Sequence, residues 1–387
     1  MAKSSQPIPT SQITSSRELT PMQHGHRGEL RRALRVDRST LRWLRFGNIG
    51  AIYVLVGVFI IFWAWLPAIF PTWQTVRTIL DNNAIIALMG LSVVLPLATG
   101  VFDLSIGYVM GFANVLVAWF IAHSSLPVPI AILVALLISA CIGAANAVLV
   151  VAFGVDSFIA TLGSGAVVGA LITLVTNEQP ITSGRLAGLF SDIGQATVGG
   201  VTLPVIYAVL LAIAIWWIFE RTATGRRLYA TGFNAEAARL AGVPTERLRV
   251  TVLLSSALIA GFAGIVMTSQ VGAGSPGVGP PYLLDAYAVA FLGASQLRAG
   301  RFNSFGTLIS VVLVGTAGVG LAEAGAPAWT PDMFTGAVLI AALALTGARL
   351  GGVTHLLARF TTRHRRIAEA VSEEGPTDGG ERYAQHI

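Results

Sequence analysis

Apolar runs of about twenty residues, separated by short breaks rich in Gly, Pro, Asn and Thr, fill most of the chain. A membrane-crossing helix needs about 20 mainly apolar residues, with a range of about 17 to 25. The pattern predicts spans near 49–68, 79–100, 104–122, 128–151, 157–176, 204–219, 251–270, 285–297, 304–322 and 331–348. The eighth is short, which fits either a glycine-capped crossing or a broken, re-entrant segment. The halves 79–176 and 251–348 each hold about four spans. Each places an aspartate, Asp103 or Asp285, beside a Tyr- or Gly-rich turn, a faint sign of an internal repeat.

Composition agrees with this all-α, polytopic reading. Of the 387 residues 54% are hydrophobic and 11% charged, against about 25% charged in an ordinary soluble domain. The 42 glycines suit close helix packing in lipid. A lone cysteine, Cys141, excludes an intrachain disulfide framework and a Cys-rich metal site.

The net charge of +6 matters less than its distribution. Arginines crowd the stretches 27–45, 221–249 and 349–366, and ten crossings place all three on one side. Both termini are then expected in the cytoplasm. The expected divisions are a basic, largely disordered tail at 1–48, a membrane domain at 49–348 and a cytoplasmic tail at 349–387. Anionic lipid would hold the basic part of the first tail. No ribonucleoprotein-type motif accompanies the arginines, so nucleic acid is not an expected partner. No A-x-A-like site follows the first apolar run, and a cleaved signal peptide is not expected.

Asp103 lies in TGVFDLSIGYV, between two apolar runs. An intramembrane carboxylate is a functional candidate by default. Aspartate also caps helices and opposes the positive end of the helix dipole. No second carboxylate or histidine lies at helical spacing, so a capped helix break is favoured over a proton relay. Asn146, Thr161 and Ser164 sit among small residues, where interhelical hydrogen bonds are the ordinary role. Asp81, Asn82 and Asn83 look like cap chemistry opening the second span, and Asp285 like the same at the eighth.

The segment 220–250, ERTATGRRLYATGFNAEAARLAGVPTERLRV, is the most structured polar piece. Asn234 can cap a short helix carrying Glu236 in its first turn, with Ala237, Ala238, Leu240 and Ala241 following and Gly242 and Pro244 ending it. The residues alone leave two roles open, docking to a partner or lying on the headgroups. No zincin, serine-hydrolase or phosphate-loop motif is present, and the six histidines make no metal-like spacing.

From span two onward the chain resembles the membrane permeases of ribose-type ABC importers, which are related to branched-chain amino acid permeases. The resemblance rests on TGVFDLSIGYVMGFANV, GVDSFIATLGSG, TATGRRLYATGFNAEAARLAGV, GFAGIV and YLLDAYAVAFLGA followed by FGTL, which cover most of 90–345 in family order. It implies a ten-span permease in the bacterial plasma membrane, paired with an identical or related second subunit. Cytoplasmic ATPase subunits would drive it, and an extracytoplasmic sugar-binding protein would supply it.

The chain itself would be no enzyme and would bind no cofactor, ATP and Mg belonging to the partner ATPase. The resemblance assigns Gly225, Asn234, Glu236, Ala238, Arg239 and Gly242 to ATPase coupling. Asp103, Leu104, Ser105 and Gly107 would form the helix break beside the pathway, with Asn146, Thr161 and Asp285 as further pathway candidates. The chain departs from the family in having Ala in one place of each expected glycine pair, around 292–294 and 298–300. The expected function is import of a ribose-like monosaccharide. The alternatives are an ion-coupled secondary transporter and an ABC permease for a polyol or branched-chain amino acid. A membrane-embedded enzyme would need a carboxylate or metal cluster at the interface, and the sequence offers none.

Overall fold

Each predicted apolar run coincides with a helix in the computed structural model, which describes residues 46–295 and 300–349. The expected tails lie almost wholly outside the described residues, as do Arg298 and Ala299. In chain order the helices are α1 (Phe46–Trp65), α2 (Trp73–Ala98), α3 (Ile106–His123), α4 (Val128–Ala147, continued by a π-helical turn Val148–Ala152) and α5 (Ser157–Thr176). A short α6 (Leu189–Gln195) precedes α7 (Leu203–Arg221), α8 (Ala223–Phe233) and α9 (Ala235–Leu240). The chain ends with α10 (Thr245–Val271), α11 (Gly279–Ala294), α12 (Ser304–Glu323) and α13 (Thr330–Arg349).

Seven of these, α2, α3, α4 with its π turn, α5, α7, α10 and α12, are long and apolar enough to cross a membrane. Shorter apolar stretches, Ile52–Trp65 and Thr330–Ala344, lie in α1 and α13.

Local chemistry sets the ends. Thr72, Asp156, Thr222, Asn234 and Asn303 each accept a backbone N–H from the first turn of the helix they precede. Gly272, at φ 73°, closes α10 in the left-handed conformation.

Three helices begin six residues earlier than the sequence pattern predicts: α2, α11, and α10, which opens at Thr245 and not 251 and so takes in the charged turn before its apolar run. The second helix begins at Trp73 and not near 79, because Arg77 and Asp81 neutralise one another one turn apart at 3.2 Å. Asp81, Asn82 and Asn83 are therefore interior residues, and Thr72 is the cap. The eighth begins at Gly279 and not 285, because Pro280 and Pro281 occupy its first turn, where their missing N–H groups have no helical partner to lose. Asp285 is thus the seventh residue of α11 and caps nothing.

Segments expected as loops carry four two-residue strands. β1 (Ile181–Thr182) pairs antiparallel with β4 (Ala273–Gly274), and β2 (Thr197–Val198) with β3 (Val201–Thr202). Asp81 ties β3 to α2 by accepting the N–H and hydroxyl of Thr202 at 3.0 and 2.8 Å.

The buried centre is built from α2, α3, α10 and α11. Packing follows a symmetric scheme: α10 packs on α3 and α4 as α2 packs on α11 and α12, and α3 touches α4 and α5 as α11 touches α12 and α13. Exchanging α2–α5 with α10–α13 preserves these neighbours. α2 runs towards the end holding the arginine-rich segment and α10 runs away from it, so the repeat is inverted.

Its two halves meet at glycines. A Cβ on Gly279 would collide with the Gly107 carbonyl, and one on Gly264 with the Met110 carbonyl. Without a hydrophobic drive between helices in lipid, such close backbone approach supplies much of the packing. The loop 272–278 descends along α3, where the Ser275 N–H donates to Asn114 Oδ1 at 2.8 Å. From Gly279 beside Gly107, α11 runs its 16 residues, about 24 Å, back to the arginine-rich end. The eighth run is therefore a half-buried helix led in by a re-entrant loop.

Candidate functional site

The residues of the break between α2 and α3 gather into one buried polar cluster. Asp103, Ser105, Asn146 and Thr161 each expose 0% of their surface. Asp103 Oδ1 accepts the Ser105 N–H at 3.1 Å and the Ser105 hydroxyl at 2.6 Å. Asn146 Nδ2, from the end of α4, donates to Ser105 Oγ at 2.8 Å. Thr161 Oγ1, on α5, accepts the Leu104 N–H at 2.9 Å and donates to the Ser157 carbonyl at 2.7 Å.

From the other half of the repeat, Tyr287 of α11 accepts the Asp103 N–H at its hydroxyl, 3.0 Å away, and stacks its ring on Phe102. Ser256 of α10 stands beside the Asp103 carboxylate. Asp103 Oδ2, Asn146 Oδ1 and Ser256 Oγ are buried without a hydrogen-bond partner. The carboxylate, three residues before the start of α3, organises the turn that leads into it, and Ser105, the residue next to the helix, makes no side-chain cap bond.

The structure thus brings together Asp103, Leu104, Ser105, Asn146 and Thr161, with Gly107 one step along α3. It does not bring in Asp285, which lines a separate cavity at the opposite end. Ser164 bonds within its own helix, to the Thr161 carbonyl. Tyr287 and Ser256 carry no sequence signal, being an ordinary Tyr and Ser within apolar runs. Among the described residues no three His, Cys, Asp or Glu side chains form a group able to hold a metal ion.

The second centre is the arginine-rich end. α7 turns into α8 at a corner so tight that a Cβ on Gly225 would strike the carbonyls of Ile218 and Phe219. Asn234 caps α9 through the Ala237 N–H at 2.9 Å, and Ala238 is its buried face. Gly242, at φ 82°, reverses the chain before α10 and has open space around it, so backbone conformation is what selects glycine there.

Arg239 pairs with Glu236 at 2.7 Å on the exposed face. Its hydrogen bond and then its charge hold the Glu236 carboxyl below the usual range. Leu240, at the end of α9, is 79% exposed, and Phe233, at the end of α8, is 63% exposed. Phe233 carries no sequence signal and Leu240 enters the sequence pattern only as part of the short helix; exposed, the two give the protrusion the character of a contact surface.

The protrusion bears directly on the membrane helices. A Cβ on Gly232 would collide with the Ala98 carbonyl at the end of α2. Tyr229 donates its hydroxyl to the Phe302 carbonyl at 2.7 Å, and the Arg301 guanidinium lies over the rings of Tyr229 and Phe233 at 5.3 and 5.5 Å. A cavity of about 220 Å³ lies between these groups and Phe102. One polar segment therefore touches the break before α3 and the connection after α11.

Residues 76–343 match the family described as branched-chain amino acid transport system / permease component. The ribose import permease protein of Haemophilus influenzae is 34% identical over 236 residues, covering 60% of this chain and 72% of that protein. The ribose import permease protein of Bacillus subtilis is 32% identical over 270 residues, covering 70% and 84%. The D-allose transport system permease protein of Escherichia coli is 28% identical over 296 residues, covering 76% and 90%. No solved structure gives a significant match. A family match across this span, with relatives covering most of their own length, means that the chain belongs to the ribose-type ABC permease family and is a multi-pass protein of the bacterial inner membrane.

Proposed function

We propose that this chain is the permease subunit of an ATP-binding-cassette importer that carries a ribose-like monosaccharide into the cell. The observation that carries the coupling role is the α8–α9 protrusion: a capped helix with an exposed apolar tip, seated against both the end of α2 and the connection after α11. The likeness to permeases named for ribose and D-allose supports the substrate class.

In this reading the chain crosses the membrane ten times, with both termini and α8–α9 in the cytoplasm, as the arginine distribution favours. Cytoplasmic ATPase subunits bind ATP and Mg and hydrolyse the nucleotide. An extracytoplasmic sugar-binding protein delivers substrate, and a second permease subunit completes the pathway. Gly225, Asn234, Glu236, Ala238, Arg239 and Gly242 shape the docking element. Closure of the ATPase pair pushes α8–α9, and the two halves of the repeat rock about their glycine contact.

The test is affinity capture of the detergent-solubilised full chain from its own membranes. Copurification of an ATPase with a phosphate-binding loop, lost on Glu236→Arg, is the expected result. A chain that transports with no ATPase attached would replace this reading with ion-coupled secondary transport.

A further inference from the structure

Three side-chain atoms of the Asp103 cluster are sealed in the fold without a hydrogen-bond partner: Asp103 Oδ2, Asn146 Oδ1 and Ser256 Oγ. Their residues expose 0% of their surface and come from three places, the break before α3, the end of α4 and the middle of α10. The bonds around them fix their character. The Ser105 hydroxyl gives its one proton to Asp103 Oδ1 at 2.6 Å, so the 2.8 Å contact between Asn146 and Ser105 Oγ must use the Asn146 NH₂. Asn146 Oδ1 is therefore left as a free acceptor. Ser256 stands beside the carboxylate from the other side of the repeat.

Buried polar groups in a native fold are paired as a rule, so three unpaired ones in one cluster mark the place of an occupant. Charge narrows what it is. A buried carboxylate needs a countercharge, and the ion pairs among the described residues, Arg77 with Asp81 and Arg239 with Glu236, do not reach Asp103. The start of α3 supplies about half a positive charge at most. A water molecule would bond all three atoms but bring no charge. A proton on Oδ2 would bring the charge, bond one oxygen and leave the third unmet. A small cation does both, since carboxylate, amide and hydroxyl oxygens are hard ligands suited to hard ions. The set holds a single acid, which balances one positive charge.

We propose that Asp103 Oδ2, Asn146 Oδ1 and Ser256 Oγ bind a monovalent alkali cation. It fastens the first half of the repeat, through Asp103 and Asn146, to the second, through Ser256. With its ligands closed to solvent, the ion is part of the fold and not a carried solute. The inference is independent of the sugar-importer reading.

The test is thermal melting of the full chain, solubilised and purified in choline chloride and then equilibrated in sodium or potassium chloride at equal ionic strength. At a hundredfold excess over half-saturation, one of the two alkali salts should raise the melting temperature by about 5 °C relative to choline, along a saturable curve. Asp103→Asn should abolish this response, its NH₂ taking the place of the ion, and should melt in choline chloride no lower than the wild type. Ser256→Ala, a small change within α10, should keep the fold and raise the half-saturating concentration about tenfold. Asp285→Asn, which alters a carboxylate in a separate cavity, should leave the response intact.

Equal melting of the wild type in all three salts would overturn the inference and leave a water in the cluster. A response to pH with none to salt would make the occupant a proton and overturn it as well. A salt response that survives in Asp103→Asn would put the cation elsewhere and defeat the inference in the same way.

Discussion

At Asp103 a single carboxylate organises the break between α2 and α3. Its Oδ1 takes both Ser105 donors, and its Oδ2 faces a cluster that also holds two other unpartnered atoms, Asn146 Oδ1 and Ser256 Oγ. An asparagine in its place keeps the Oδ1 acceptor and adds an NH₂ beside atoms able to accept it. Asp103→Asn should therefore fold and transport within about a factor of two of wild type, as a near-isosteric change does. Asp103→Ala strands the two Ser105 donors and should cost about 1–3 kcal/mol for each, seen as a lowered melting temperature in detergent. Normal melting with abolished uptake in the Asn variant would instead assign the carboxylate a proton. Tyr287→Phe should also lower the melting temperature, since the buried Asp103 N–H loses its acceptor at about 1–3 kcal/mol. Sequence made Asp103, Asn146 and Thr161 visible one at a time, because polar residues in apolar runs stand out. Tyr287, 184 positions from Asp103, has no such contrast, and only the crossing of α3 with α11 joins the two.

At the scale of elements, α9 was legible because capping is local chemistry. Asn234 at the start and Gly242 after the end are fixed by interactions within four residues and need no tertiary information. The misplaced starts of α2 and α11 are the converse: Arg77, Asp81 and the Pro280–Pro281 pair look like breakers until their partners or their place in the first turn are known. The apolar tip was hidden for another reason, since Leu240 fits the apolar periodicity of α9 and only the packed structure turns it outward. Leu240→Asp removes no buried contact and should leave the melting temperature unchanged. If α9 is the docking element proposed above, the variant should strongly reduce copurification of the ATPase, because an exposed apolar side chain is replaced by a charge. Retained copurification would move the docking surface elsewhere on the segment.

Across the whole molecule, the inverted repeat was faint in sequence because helices in lipid are matched by shape. Small residues at crossings suffice, and Gly107 can meet Gly279 with little resemblance around them. The paired aspartates that hinted at the repeat do not correspond, since Asp103 precedes α3 and Asp285 lies within α11. The repeat nonetheless gives the molecule a single point of control. α8 presses on the first half through Gly232 at the Ala98 carbonyl and reaches the second through Tyr229 at the Phe302 carbonyl. On the proposed reading, docking and transmission are separate surfaces of one segment, and a variant can break either alone. Gly232→Val forces α8 off the end of α2 while leaving Leu240, Glu236 and Arg239 on the outer face. It should retain the ATPase at wild-type stoichiometry, and ATP hydrolysis should persist while sugar uptake falls by about tenfold or more, the loss expected when a lever is displaced but not detached. Wild-type uptake in Gly232→Val would mean that the contact with α2 is passive and that force enters through the connection after α11. In that case Tyr229→Phe, which removes the Phe302 bond, becomes the uncoupling variant.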